Sequence, residues 1–119
     1  MRDLKERTKG FALRIIRLYG ALPKTTVAQV IGKQVLRSGT SVGAHYHEAQ
    51  RSRSSAELIS KIEGTLQEIE ETGYWLDLLA DSAIVPSGRL RDLQLETDEL
   101  TAILVTCAKN AKRRMKAEE

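Results

Sequence analysis

Residues 35–79 read VLRSGTSVGAHYHEAQRSRSSAELISKIEGTLQEIEETGYWLDLL. The first half of this stretch places small residues, among them Ser38, Gly39 and Gly43, inside a helical pattern. Each glycine in an exposed helix interior costs about 1 kcal/mol relative to alanine, so close packing must compensate for them. The second half is a long amphipathic segment rich in glutamate. The stretch therefore predicts closely packed helices, within one chain or between chains, and not a catalytic cleft.

The rest of the chain shows the same 3–4 spacing of apolar residues, which is typical of α-helices. Pro23 ends the first segment, and Thr25 or Thr26 is the expected N-cap of the second. Ser54 and Glu57 form a capping box before the third segment. A loop at residues 85–88, Val-Pro-Ser-Gly, precedes the fourth.

We expect helices at about residues 3–21, 26–50, 55–83 and 89–114, with a break near Gly39 as the alternative for the second. No alternating strand pattern competes, and the connections are short. The sequence therefore predicts one all-α domain over residues 1–119 with up-down-up-down four-helix-bundle topology.

Composition narrows the class of protein. The chain has 119 residues, of which 41% are hydrophobic and only 4% aromatic, so we expect an aliphatic core. Cys107 is the single cysteine, which rules out an intrachain disulfide. No run of about 18 apolar residues is present, and the first ten residues lack the apolar core of a secretory signal. We therefore expect a cytoplasmic protein without a membrane span.

The net charge is +3, and the charged residues are distributed unevenly along the chain. Residues 1–24 carry seven Lys or Arg against two Asp or Glu, whereas residues 56–83 carry one against seven. Separated charge of this kind serves subunit pairing or a polyanionic partner. The candidate nucleic-acid-binding residues form two clusters: Lys5, Lys9, Arg14 and Arg17, with Arg2 and Arg7 beside them, and Lys109, Lys112, Arg113 and Arg114, with Lys116 beyond them. The second cluster is also explained by the helix dipole, which favours cations at a helix C-terminus.

Residues 36–79 closely resemble the signature of a bacterial family of four-helix-bundle proteins first noticed in intervening sequences of 23S rRNA genes. His45 stands where that family usually has Asn, and Ala49 where many members have Gly. The matching positions are Arg37, Ser41-Val42-Gly43-Ala44, Glu48, Ala56-Glu57 and Tyr74-Trp75-Leu76.

The resemblance implies a left-handed four-helix bundle that assembles into a ring-shaped homopentamer. The chain is also similar to the accessory proteins of diversity-generating retroelements, which are basic pentamers that bind nucleic acid and a reverse transcriptase. We therefore expect a non-enzymatic homo-oligomer that binds RNA or DNA non-specifically, alone or beside another protein. The alternative is a protein–protein adaptor or assembly module without a nucleic-acid role.

A metal-dependent helical enzyme is the weakest alternative. His45 and His47 lie about 200° apart on a helix and do not chelate one ion. The order His45-x-x-Glu48 reverses the motif of di-iron bundles and occurs once. Residues 39–43, Gly-Thr-Ser-Val-Gly, do not spell a nucleophile elbow, and no strand precedes them. We expect no catalytic site, cofactor or metal.

Several residues are expected to shape helix packing instead: Arg37, Ser41, Gly43, Ala44, Glu48 and Trp75. If the third segment folds back antiparallel, Arg37 comes level with residues 69–70, and we hypothesise an Arg37–Glu70 pair; two solvated charges are the alternative. Glu48 is expected to brace the turn at residues 51–55. The acidic face of the third segment is either solvated or meets a basic helix of a neighbouring subunit; it comprises Glu63, Glu68, Glu70, Glu71 and Asp77.

Overall fold

The computed structural model describes residues 3–118 and contains four helices in that range. They are α1 (Leu4–Ala21), α2 (Thr26–Ala49), α3 (Ser55–Asp81) and α4 (Ser87–Glu118). No strand occurs among these residues, so the predicted all-α four-helix class is confirmed. The second helix runs unbroken through Gly39, which excludes the predicted alternative of a break there.

Side-chain caps fix where three helices begin. The carboxylate of Asp3 accepts the backbone N–H of Glu6 at 2.8 Å. The hydroxyl of Thr25 accepts the N–H of Ala28 at 3.3 Å, and the Ser54 hydroxyl accepts the N–H of Glu57 at 3.1 Å. Each cap satisfies one of the backbone donors that a helix start leaves unpaired.

The fourth helix is longer than the sequence predicted. It begins at Ser87, directly after Pro86, and continues to Glu118. Lysine, arginine, methionine and alanine in its last turns are strong helix formers, which explains the extension beyond residue 114. The third helix ends earlier than predicted, at Asp81, because Ala83 adopts a left-handed conformation with φ 58° that a continuing helix does not accommodate.

Contacts between consecutive helices set their register. Along α1 and α2, the Cβ position of Gly43 faces Thr8, and that of Gly32 faces Tyr19. Glu48 of α2 reaches Lys61 early in α3, whereas Arg37 reaches Glu68 later in α3. Between α3 and α4, Glu63 meets Lys112 and Asp77 meets Gln94. In every consecutive pair, contacts advance along one helix as they recede along the other.

Two apolar clusters hold the helices together. The larger is aliphatic apart from Phe11 and includes Ile15, Val35, Val42, Ile69, Leu76, Leu79, Leu90, Leu100 and Leu104. The smaller lies where the end of α2 meets the start of α3 and the last third of α4, and is built on Ala49, Ile62 and Ala108. No helix in the described range is long and apolar enough to cross a membrane.

The glycines of α2 allow α1 to approach closely. A Cβ built on Gly39 would lie 2.7 Å from Cγ1 of Ile15, and one on Gly32 would lie 2.5 Å from Cδ1 of Leu22. A Cβ on Gly39 would overlap the branched part of Ile15, so the close approach there depends on glycine, whereas the end of the Leu22 side chain can move aside from Gly32. Of the two partners left open by the sequence, it is a helix of the same chain that packs on Gly32 and Gly39.

Candidate nucleic-acid interface and its helical frame

Arg37 joins α2 to α3 through two carboxylates. Its Nη1 lies 3.3 Å from Oε2 of Glu68, and its Nη2 contacts Oε2 of Glu71. The predicted Arg37–Glu70 pair is therefore wrong. Residues three apart share a helix face, whereas Glu70 is rotated by about 100° from Glu71 and is exposed.

Glu71 is also bound from its own helix. The indole Nε1 of Trp75 donates to Oε2 of Glu71 at 2.9 Å. This hydrogen bond and the contact with Arg37 lower the pKa of Glu71 below its ordinary value, and the bond to Glu71 raises the pKa of Arg37. Trp75 is half-buried against the main core, while Tyr74 is 58% exposed and meets the Trp75 ring edge-on at 5.2 Å.

The predicted packing residues of α2 divide between structural and exposed positions. Gly43 packs on Thr8, and the Ser41 hydroxyl donates to the backbone oxygen of Arg37 at 2.7 Å. Ala44, by contrast, is exposed. Ser38 was not singled out from the sequence for a bond to another helix, yet its buried Oγ accepts from Thr72 of α3 at 2.9 Å.

Glu48 braces α3 and not the turn that follows α2, which corrects the expectation from the sequence. Its Oε2 lies 3.6 Å from Nζ of Lys61, and its Oε1 lies 3.5 Å from Nδ1 of His45. The turn is held instead by backbone bonds, one of which runs from the N–H of Arg51 to the backbone oxygen of Glu48 at 3.0 Å. Between residues 3 and 118, no group of three His, Cys, Asp or Glu side chains could hold a metal ion.

Arg7 links α1 to α4 through two carboxylates and therefore does not belong to the exposed cations of the first cluster. Its Nη2 lies 2.7 Å from Oε1 of Glu96 and 3.5 Å from Oε1 of Glu99. Only 15% of the Arg7 side chain is exposed, and the hydrogen bond to Glu96 raises its pKa. Arg2, the other residue placed beside the first cluster, lies outside the described residues.

The candidate cations of α1 lie mostly at the surface. Lys5, Lys9 and Arg17 are exposed, and Arg14 is half-buried. Lys5 and Lys9 lie one helical turn apart on a shallow groove between α1 and α2, which His47 also lines. Within residues 3–118 these four cations form no ion pair, so their charge remains available to a ligand.

The cations of α4 are joined by two arginines that the sequence reasoning missed. The Ser55 hydroxyl lies 2.9 Å from Oε2 of Glu118, which brings the loop before α3 to the end of α4. We call this region the α4 basic end; it contains Arg51, Arg53, Lys109, Arg113, Arg114 and Lys116, all exposed. The run Arg51-Ser52-Arg53 was a visible signal, but only the fold places it beside α4. Lys112 is partly neutralised, since its Nζ lies 2.9 Å from Oε1 of Glu63.

Within one chain, the two basic clusters lie at different heights along the length of the helices. The α1 helix meets α4 at Glu96, more than three turns before Lys109.

The helical architecture and this basic surface define a class of small helical-bundle proteins. Residues 3–106 match the model of the 23S rRNA-intervening sequence protein family, and the chain belongs to that family. This confirms the resemblance seen in the sequence.

A solved structure supports the same fold. A protein of unknown function from the S23 ribosomal protein family of Bacteroides thetaiotaomicron is 34% identical, with a TM-score of 0.85. The alignment covers 90% of this chain and 99% of that one. No curated protein matches the chain. The family match ends at residue 106, so the cations at residues 109–114 lie beyond it.

Proposed function

We propose that this protein is a non-enzymatic, cytoplasmic homo-oligomer that holds RNA or DNA through its basic surfaces without reading base sequence. Phosphate contacts by Lys and Arg are independent of sequence, and a chain with so few aromatic residues is poorly equipped to stack along a strand. The antiparallel contacts between consecutive helices support an up-down-up-down bundle. The family resemblance supports left-handed packing and a ring of five subunits.

The observation that carries the proposal is the unequal use of charge. Of the eight candidate cations, only Lys112 forms an ion pair within the described residues. On the acidic helix α3, by contrast, Glu63, Glu68 and Glu71 are already engaged by cations of the same chain. Three of the five carboxylates that form the acidic face of α3 are therefore already neutralised by cations of the same chain, which favours a polyanion over the adaptor alternative.

Exposed apolar side chains support the homo-oligomer. Leu13 and Ile16 of α1 are 46% and 49% exposed, and Val27 and Val30 of α2 are 60% and 58% exposed. Paired apolar residues one turn apart on two adjacent helices offer a surface that self-association would bury.

Titration with a structured RNA at low and moderate salt tests nucleic-acid binding. We expect affinity to fall steeply with salt, with a slope of log affinity against log salt that is proportional to the number of phosphates neutralised. Reversing Lys109 and Arg113 to Glu should weaken binding and flatten this slope. Reversing Lys24 and Lys33, which are exposed but outside both clusters, changes net charge equally and serves as the matched control.

Two outcomes contradict the nucleic-acid role. Negligible binding at low salt would favour the adaptor module. Equal losses in the cluster variant and in the control would show a response to net charge alone, without a defined surface.

Native mass spectrometry tests assembly. Changing Leu13 and Ile16 together to Asp should reduce the particle mass, because the exposed apolar surface of α1 would then carry charge. Leu95→Asp, at a 54% exposed position of α4, is the control. A monomeric unmodified chain, or an unchanged mass in the double variant, would contradict the proposed interface.

A further inference from the structure

An apolar groove opens beside the α4 basic end. It has a volume of about 190 Å³ and is lined by Tyr46, Ala49, Leu58, Ile62, Cys107 and Ala111, among others. Ala49 and Ala111 are buried and leave a low floor, whereas Tyr46, Leu58 and Cys107 are half-buried walls. Small residues flanked by larger ones accept the side-chain ridge of another helix.

The groove lies where the bundle is incomplete. The first helix begins at Leu4, and its Thr8 packs on Gly43, less than one turn before Tyr46, so the start of α1 lies near the groove. From Cys107 the fourth helix continues for three more turns, to Glu118. These turns pack on α3 and on the end of α2, so one side of a four-helix arrangement is open there.

Charge around the groove is strongly positive. Residues 50–57 and 107–118 together carry seven Lys or Arg against two Glu. Arg114 itself lines the groove, and Glu118 is engaged by Ser55. The acidic residues that adjoin lining residues in the chain are Glu48, Glu57 and Glu63, of which Glu48 is paired with Lys61 and Glu63 with Lys112. Cations therefore dominate the rim of an apolar trough.

We propose that this groove docks an amphipathic helix of a partner protein whose apolar face is flanked by Asp and Glu. Apolar side chains at spacings of three and four would enter over the alanine floor, as in other helix-in-groove complexes. The acidic flanks would meet Arg114 and the neighbouring arginines. A nucleic acid is disfavoured as the occupant of the groove because the floor is apolar and carries no cation to bind phosphate. The site goes beyond the proposed function, and its residues at 107–114 lie outside the family match.

Cys107 provides a direct test because it is the only cysteine and it lines the groove. The probe is a synthetic peptide of about 18 residues, long enough to form a helix, with leucines on one face and glutamates beside them. The matched peptide carries lysine in place of glutamate. The readout is the rate at which a maleimide modifies Cys107, measured near pH 8.5 because burial raises the pKa of this thiol and the thiolate is the reactive form.

We expect the acidic peptide to slow the modification about tenfold at saturation and the lysine peptide to leave it unchanged. Ala111→Leu, which fills the groove, should abolish the protection. Arg114→Glu should weaken the acidic peptide about fivefold or more, as expected for a charge pair beside apolar surface. Arg89→Glu, an exposed position in the first turn of α4, makes the same charge change and should have no effect.

Several results would overturn the proposal. One is equal protection of Cys107 by both peptides, and another is no protection by either peptide. A third is a Cys107 thiol that is unreactive before peptide is added because another copy of the chain covers it. Protection by structured RNA in place of the acidic peptide would assign the groove to nucleic acid. If Ala111→Leu fails to fold, the comparison of Arg114→Glu with Arg89→Glu decides the outcome. RNA titration is a separate measurement, so failure here leaves the proposed function standing.

Discussion

The indole N–H of Trp75 and the guanidinium of Arg37 converge on one oxygen, Oε2 of Glu71. The first bond lies within α3 and the second crosses from α2, so a single carboxylate orients an aromatic ring and joins two helices. Arg37 is half exposed, which limits the ion pair to about 0.2–1 kcal/mol. The junction is therefore more important for orienting Trp75 than for the total free energy of unfolding.

Protonation of Glu71 should change the fluorescence of Trp75, the only tryptophan. Because the folded-state pKa of Glu71 is lowered, its stabilising contribution is present above the unfolded-state pKa and is lost as the pH falls through the folded-state pKa. We expect a fluorescence transition centred below about pH 4.5. Arg37→Leu should move it upward, and Glu70→Gln should leave it in place. A spectrum that stays constant until global unfolding would contradict this.

Gly39→Ala should destabilise the protein although alanine is the better helix former. The added methyl would meet Ile15 at 2.7 Å, and overpacking of a core typically costs about 1–3 kcal/mol. Gly20→Ala is the control, because nothing lies within 4 Å of its Cβ position, and it should stabilise by up to about 1 kcal/mol. Urea denaturation of both variants measures the difference. If both shift the midpoint in the same direction, α1 does not press on Gly39 as described.

The hydroxyls of Ser38 and Thr72 form a buried link between α2 and α3. Thr72→Val keeps the shape and should cost about 1 kcal/mol, and Ser38→Ala should cost a similar amount. The Ser38 hydroxyl still donates to the backbone oxygen of Gln34 when Thr72 is replaced, so no buried group is orphaned. The double variant should cost less than the sum, because both changes remove the same bond.

The exposed Thr106 provides the control for this pair, since its hydroxyl bonds only within α4 to the backbone oxygen of Ala102. Thr106→Val should change the free energy of unfolding by less than about 0.5 kcal/mol. Strict additivity of Ser38→Ala and Thr72→Val in chemical denaturation would show that the link contributes nothing.

Arg7→Met should loosen α1 from α4. It leaves the largely buried carboxylate of Glu96 without its partner, which costs about 1–3 kcal/mol. Hydrogen exchange should show reduced protection of α1 amides with little change in the centre of α3. Replacing Glu96 by Met as well should restore much of the loss, because no unpaired charge then remains. Arg17→Met, on the exposed face of α1, should have no such effect.

Local patterns in the sequence were sufficient to predict that the chain forms four α-helices. The caps at Thr25 and Ser54 are short-range bonds between neighbours in the chain, so they are visible in the order of residues. The end of α3 was misplaced because the left-handed conformation of Ala83 has no compositional signal. The length of α4 was underestimated although strong helix formers fill its last turns; the contact of Glu118 with Ser55, a residue far away in the sequence, adds a tertiary bond that local patterns do not show.

The candidate site was only partly predictable. All eight cations were visible as charge clusters, but Arg7 could not be told from its surface neighbours until Glu96 was placed beside it. The same holds for Arg51 and Arg53, which join the α4 basic end through a tertiary contact.

The sequence by itself determined a four-helix, aliphatic, basic chain of a recognisable family, because periodicity, capping and composition act over a few residues. Only the tertiary structure decided that Glu68 and Glu71, and not Glu70, receive Arg37, and that Gly39 faces Ile15 of the same chain. Helix rotation and register set these pairings. A shift of one residue turns a side chain by about 100°, and only the packing of whole helices fixes that angle.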